Sequence, residues 1–379
     1  MAEIKHFTLT NSKGESVVLS NFGASILAIN VPDRGGRIDN VVLAYAKDED
    51  YYDDGPFMGK TPGRYSNRIA KGHFTLDGKQ YTLSINCGTE HLHGGIKEES
   101  YANRVWDAEQ KGNSVVMSLF SPDGDAGYPG NLKVQATYTW DDDSCLTLDF
   151  VATTDAKTVV NITNHVYFDL RGAGNKSGGI LNHVLKLNCS RYLPTDDQLI
   201  PTGEIAPVAG TPMDFTKGRI VGKDIHDYSF PALKFGKGYD ACWAIDDFDG
   251  SIKPIAELCE PSTGRKMVLS TNKPGVQLYT GNYLEGCPDG PGGYVYKEND
   301  GRCPHCGRKF DFDAMEMHHV LPYARFQDLI NDERNLLLLC HDCHKEVHCN
   351  PFLNIRLMQA KADELGIGLH ERYDYAQLP

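Results

Sequence analysis

V-Q-A-T-Y-T-W-D-D-D-S-C-L-T-L-D-F-V-A, residues 134–152, sets the fold class. Val134, Ala136, Tyr138 and Trp140 occupy every second position, and after Asp141-Asp142-Asp143-Ser144 the alternation resumes with Leu146, Leu148, Phe150 and Ala152. Side chains alternate across a strand, so each run presents one apolar face, and the polar residues between them read as a hairpin turn. A second hairpin runs from His73 to Leu83, where Asp77-Gly78 supplies a two-residue turn that tolerates positive φ. Turn signals recur (P-D-R-G-G, S-P-D-G-D, P-D-G-P-G-G), and hardly any helical period appears before residue 300. These features predict a large antiparallel β-sandwich.

The chain has 379 residues, 40% of them hydrophobic, which is more than one core usually holds and predicts a large domain plus a smaller one. A net charge of -13 argues against broad attraction to nucleic acid or anionic membrane, so any nucleic-acid contact is expected to be local. The start shows no basic segment followed by an apolar run, and no 18-residue apolar stretch occurs, so a cytoplasmic protein without a membrane span is expected. Six of the 11 cysteines are scattered before residue 288 and read as reduced thiols. The other five crowd the region after residue 302, which points to metal.

The texture changes near residue 301. Seven of the 14 histidines follow that point, and the glycine-rich segment 287–301 reads as a linker. Residues 350–366 carry a helical pattern, with Asn350 as N-cap, Leu353, Leu357, Met358 and Leu365 at helical spacing, and Gly366 as the stop. Two domains are therefore expected, 1–296 and 297–379.

In the first, histidine, arginine and aspartate lie beside turns: G-R-Y-S-N-R-I-A (63–70), E-H-L-H-G-G (90–95), N-I-T-N-H-V-Y-F-D-L-R-G (161–172), G-Y-D (238–240) and Q-L-Y-T-G-N-Y-L (277–284). A single histidine in a strand-like run, such as His165, reads as a hydrogen-bonded structural residue; the set together reads as a small-molecule site on loops. In order and spacing these motifs resemble the aldose 1-epimerase (galactose mutarotase) family. The resemblance implies a large antiparallel sandwich, interconversion of the anomers of a hexose such as galactose or glucose, and no cofactor. It assigns His165 as the acid at the ring oxygen, with His93 at the catalytic site and Arg68 and Asp240 positioning the sugar. It also implies a glutamate base in a late C-L-E-x-Q motif. Laying Cys303 on that cysteine puts His305 at the glutamate, so the sandwich is expected to lack its last strands and its activity to be impaired.

The second region reads C-P-H-C, then H-H-V-L-P, then N-L-L-L-L-C-H-D-C-H-K-E-V-H. Cys303, Cys306, Cys340 and Cys343 form two Cys-x-x-Cys pairs suited to a structural zinc, with redox pairs or buried thiols as the alternatives. His344 and His348 are four residues apart, hence on one face of a helix. The order resembles the HNH endonuclease family, which implies a small ββα-metal fold acting on DNA. The resemblance gives His318, His344 and His348 to one catalytic divalent cation (Mg, Mn, Zn or Ni), His319 to the base and Asn335 to its orientation. Against it, the segment 301–379 is not basic, with nine Lys and Arg against twelve Asp and Glu. Two other readings stand beside this fusion: a working epimerase with an accessory zinc-binding tail, and an inactive carbohydrate-binding or misassembled product.

Overall fold

The computed structural model describes residues 3–52, 54–173, 179–291 and 294–296, with the strands Met315–His319 and Leu336–Cys340. Strands β1 (His6–Thr10), β2 (Ser16–Ser20), β3 (Ser25–Pro32) and β4 (Ile38–Asn40) form a meander in chain order. Two short ladders follow: β5 (Arg68–Ile69) pairs with β8 (His91–Leu92), and β6 (His73–Leu76) with β7 (Lys79–Thr82). Next come β9 (Asp107–Lys111), β10 (Ser114–Ser121), β11 (Leu132–Trp140) and β12 (Leu146–Thr154), in the order 12-11-10-9.

The later strands are β13 (Val184–Leu187), β14 (Arg191–Leu193), β15 (Ala206–Pro207), β16 (Arg219–Ile220), β17 (Asp240–Ala244), β18 (Lys253–Cys259), β19 (Lys266–Thr271) and β20 (Gly275–Tyr279). They interleave into sheets ordered 16-13-18-19 and 15-14-17-20. Among the described residues the one α-helix is α1 (Pro231–Gly236), so the chain is mainly β as its alternation predicts. β21 (Met315–His319) and β22 (Leu336–Cys340) form a separate antiparallel ladder, with His319 opposite Leu336 and Met315 opposite Cys340. The helical pattern at 350–366 lies outside the described residues.

The predicted hairpins are present. Val134, Ala136, Tyr138 and Trp140 are all buried, and Asp77 and Gly78 take φ of 50° and 76°. The partner face is less deeply covered: Leu146, Leu148 and Phe150 are half-buried, and Ala152, expected on the apolar face, is exposed. β12 is an edge strand, so its inner face has a neighbour on one side only. Its residues pack on a core shared by β1–β3, β10 and β11, while a second core gathers around Trp243, Phe215 and Tyr239.

A third, aromatic cluster of Phe22, Tyr45, Tyr51, Met58, Tyr167, Leu284 and Tyr296 lies beneath the segment that builds the site. Its presence corrects the linker reading for the described part of 287–301, because Tyr296 is 2% exposed and exchanges hydrogen bonds of 2.5 and 3.0 Å with the backbone of Ala44; residues 297–301 lie outside the described residues. Beside this cluster Lys60 and Asp54 form an ion pair at 3.3 Å with both side chains fully buried. Lys60 Nζ also donates to the carbonyl of Tyr51 (2.5 Å) and to Asn103 Oδ1 (2.9 Å), and Asp54 accepts from Tyr45 Oη and the Met58 amide, each at 2.7 Å. Removing one member of such a pair leaves the other charge desolvated and uncompensated. Lys60→Met is therefore expected to lower unfolding stability by about 3–5 kcal/mol at pH 8, read from urea denaturation; a loss below about 1 kcal/mol would show that the pair does not hold this region together.

Candidate active site

The ladder of β5 and β8 sets the first half of the site. It brings Asn67 against His93: the Asn67 amide donates to His93 Nδ1 at 3.0 Å, and the His93 amide donates to the Asn67 carbonyl at 3.2 Å. Both residues are in the left-handed region, at φ of 66° and 51°, which is uncommon for residues with a Cβ and marks a position fixed by its surroundings. Because Nδ1 accepts, the proton of the neutral imidazole sits on Nε2. Gly94, at φ 88°, allows the close approach beneath it: an ideal Cβ there would lie 1.7 Å from the Gly63 carbonyl oxygen.

His165 enters from the segment following β12. Its amide donates to the Lys60 carbonyl at 2.7 Å, and its carbonyl accepts from the Gly59 amide at 3.1 Å. The His165 and His93 rings meet edge-on with centroids 5.1 Å apart, and Phe57 packs on both, at 6.2 and 4.9 Å. Tyr167 and Tyr279 complete the aromatic wall at 5.1 and 6.1 Å from His165.

Beside the aromatic wall lies an ion pair. Asp240 opens β17 and pairs in register with Tyr279 of β20. Its Oδ2 lies 3.8 Å from Arg68 Nη1, and its Oδ1 accepts from Gln277 Nε2 at 2.7 Å. The four residues expected from sequence to build the sugar site, His93, His165, Arg68 and Asp240, are thus brought together. Arg64, four residues before Arg68, is 1% exposed and spends its guanidinium on the carbonyls of Ser121, Pro122, Pro129 and Gly130 and on the hydroxyls of Tyr101, Ser121 and Thr158.

Burial dominates the electrostatics. It lowers His165 to about 4 and holds His93 well below the usual histidine range, with His165 and Arg68 adding repulsion at His93. Burial also raises Asp240, opposed by the Arg68 charge and the Gln277 hydrogen bond. Burial thus disfavours the charged form of all three groups.

Phe57, Asn67, Tyr279 and Gln277 were missed as site residues in the sequence. Gln277 and Tyr279 stand two apart in Q-L-Y-T-G-N-Y-L, the strand period that puts them on one face; Phe57 carries no comparable signal.

Among the described residues, no group of three or more His, Cys, Asp or Glu side chains is placed to hold a metal ion. Cys303, Cys306, Asn335, Cys343, His344 and His348 lie outside the described residues, and for His318, His319 and Cys340 the description extends to the strand backbone. No helix among the described residues is long and apolar enough to cross a membrane.

The sheet architecture defines a protein of the galactose mutarotase-like class. The chain belongs to the aldose 1-epimerase family, whose profile matches residues 5–309. A galactose mutarotase from Homo sapiens is 40% identical over 289 residues, covering 76% of this chain and 80% of that protein. An aldose 1-epimerase from Escherichia coli is 35% identical over 282 residues, covering 74% and 80%. The crystal structure of an aldose epimerase homologue from C. elegans superposes with a TM-score of 0.70 at 28% identity, covering 78% of this chain and 87% of that one. A separate profile, HNH endonuclease, matches residues 303–349.

The buried ring gives a direct test. The His165 imidazole is expected to titrate in NMR near pH 4, far below a solvated histidine. Since the unfolded chain binds that proton at about pH 6.5, the contribution of this group to stability is full above that pH and declines as pH falls toward 4. A midpoint at or above 6.5 would show an open, hydrated site.

Proposed function

We propose that the sandwich binds a free hexose such as galactose or glucose and interconverts its anomers, without a cofactor, more slowly than an epimerase that keeps the family glutamate. The observations that carry this reading are the close His93–His165 pair and the nearby Arg68–Asp240 ion pair, in a chain 40% identical to a galactose mutarotase. Opening a pyranose requires a proton delivered to the ring oxygen while another leaves the anomeric hydroxyl. His165 is the donor in this reading. His93, with Nε2–H turned to the site by the hydrogen bond on Nδ1, donates to a sugar oxygen. The Arg68 guanidinium and the aromatic wall orient the hydroxyls and exclude water.

Polarimetry of freshly dissolved α-galactose tests it. The protein is expected to accelerate the decay of rotation, and His165→Ala to lose about 100-fold or more of that acceleration, the usual contribution of a positioned acid. Equal rates for the two proteins would end the reading.

The match at 303–349 supports a second activity in the same chain: metal-dependent cleavage of DNA by the HNH-like segment. Two thiolate pairs, Cys303/Cys306 and Cys340/Cys343, have the donor chemistry of a structural zinc. His318, His344 and His348 would hold one divalent cation, which supplies charge stabilisation at the phosphate. His319 would take the proton of the attacking water, oriented by Asn335. Purified protein is expected to nick supercoiled plasmid with one of Mg, Mn, Zn or Ni, and His319→Ala to lose nicking at unchanged zinc content. Nicking that survives the substitution would assign it to a contaminant.

A further inference from the structure

The base of the anomer exchange remains to be found, and the geometry narrows the choice. The two histidines do not serve: His165 supplies the proton, and His93 has its acceptor nitrogen occupied by the Asn67 amide, so that Nε2 is a donor. Tyr167 donates its hydroxyl to the Pro56 carbonyl at 2.9 Å, and burial raises both Tyr167 and Tyr279 well above the range in which a phenol ionises near neutral pH. The nearby carboxylate of Asp54 is fully buried and committed to Lys60, Tyr45 and the Met58 amide.

Asp240 differs from all of these. Its side chain is 12% exposed, enough to reach a bound sugar; Oδ1 is held by Gln277, while Oδ2 faces Arg68 at 3.8 Å, outside hydrogen-bond range. The carboxylate is therefore oriented through one oxygen and open at the other. Its strand partner Tyr279 also packs near His165, with ring centroids 6.1 Å apart, so the acid and the carboxylate neighbour one aromatic ring.

We propose that Asp240 is the general base of this chain. Its Oδ2 takes the proton of the anomeric hydroxyl; the O1–H electron pair becomes the second C1–O1 bond; the C1–O5 bond breaks with its pair going to O5, which takes the proton of the His165 imidazolium. Rotation about C1–C2 and the reverse proton transfers give the other anomer and restore both groups. The productive state has Asp240 ionised and His165 protonated, and burial disfavours the charged form of each. A reaction that needs one of the two groups ionised and the other protonated has a bell-shaped pH profile.

The inference rests on the anomer exchange proposed above, and one set of measurements separates the two. Polarimetric rates from pH 3 to 8 and calorimetric galactose binding are compared for wild type, His165→Ala, Asp240→Asn and Asp240→Gly. Asp240→Asn is expected to lose about 100-fold or more in kcat, to bind galactose within about threefold of wild type, and to lose the acid limb of the profile. Added formate, a small replacement base, is expected to restore part of the rate to Asp240→Gly and none to His165→Ala. Weakened binding with kcat intact would make Asp240 a positioning residue, and a retained acid limb with most of the rate would place the base elsewhere; either overturns the inference and leaves the epimerase reading standing. A wild-type rate no faster than that of His165→Ala overturns both.

Discussion

The pocket hangs on one buried lysine. Lys60 places its ammonium in a fully enclosed pair with Asp54, while its backbone carbonyl receives the amide of His165. Between the paired residues runs G-P-F-M-G, which carries Phe57 at φ 58° against both histidine rings and gives the Gly59 amide to the His165 carbonyl. A buried ion pair adds little net stability over a hydrophobic replacement, since desolvation offsets most of the attraction. It does impose one geometry, because any shift of the 54–60 segment separates two charges in a dry interior. That constraint fixes His165 from below and Phe57 from the side.

The same economy of position separates two arginines that the motif G-R-Y-S-N-R-I-A places four residues apart. Arg64 is consumed by carbonyls and hydroxyls of the 121–130 turn and of Thr158, so its charge serves the scaffold. Arg68 sits on a two-residue ladder whose other strand leads into His93, and its guanidinium faces Asp240. Spacing alone does not tell them apart. What does is the long-range pairing of segments around residues 68, 92 and 240.

This explains what was legible in the sequence. The hairpins were, because period-2 alternation and an Asp-Gly turn are local physical signals; Ala152 was misplaced because edge position is a property of the sheet, not of the strand. The 287–301 segment looked like a linker because Pro and Gly dominate its composition, which hides Tyr294 and Tyr296 packed against each other and onto Tyr45 and Ala44. His93, His165, Arg68 and Asp240 stood out as motif residues. Asn67 and Phe57 did not, since their part depends on left-handed backbone that neither residue type requires.

The junction is the harder constraint. The aldose 1-epimerase and HNH endonuclease profiles overlap at residues 303–309, beginning at Cys303 of C-P-H-C. On the proposed zinc reading the two thiolates of that pair converge on one metal, while the epimerase resemblance puts the family glutamate at the position of His305. The two readings thus ask different chemistry of the same few residues. Tyr296, just ahead of that stretch, has its phenol tied to the Ala44 backbone. On the proposed mechanism Asp240 takes the part of the family glutamate, and its strand partner Tyr279 packs near His165.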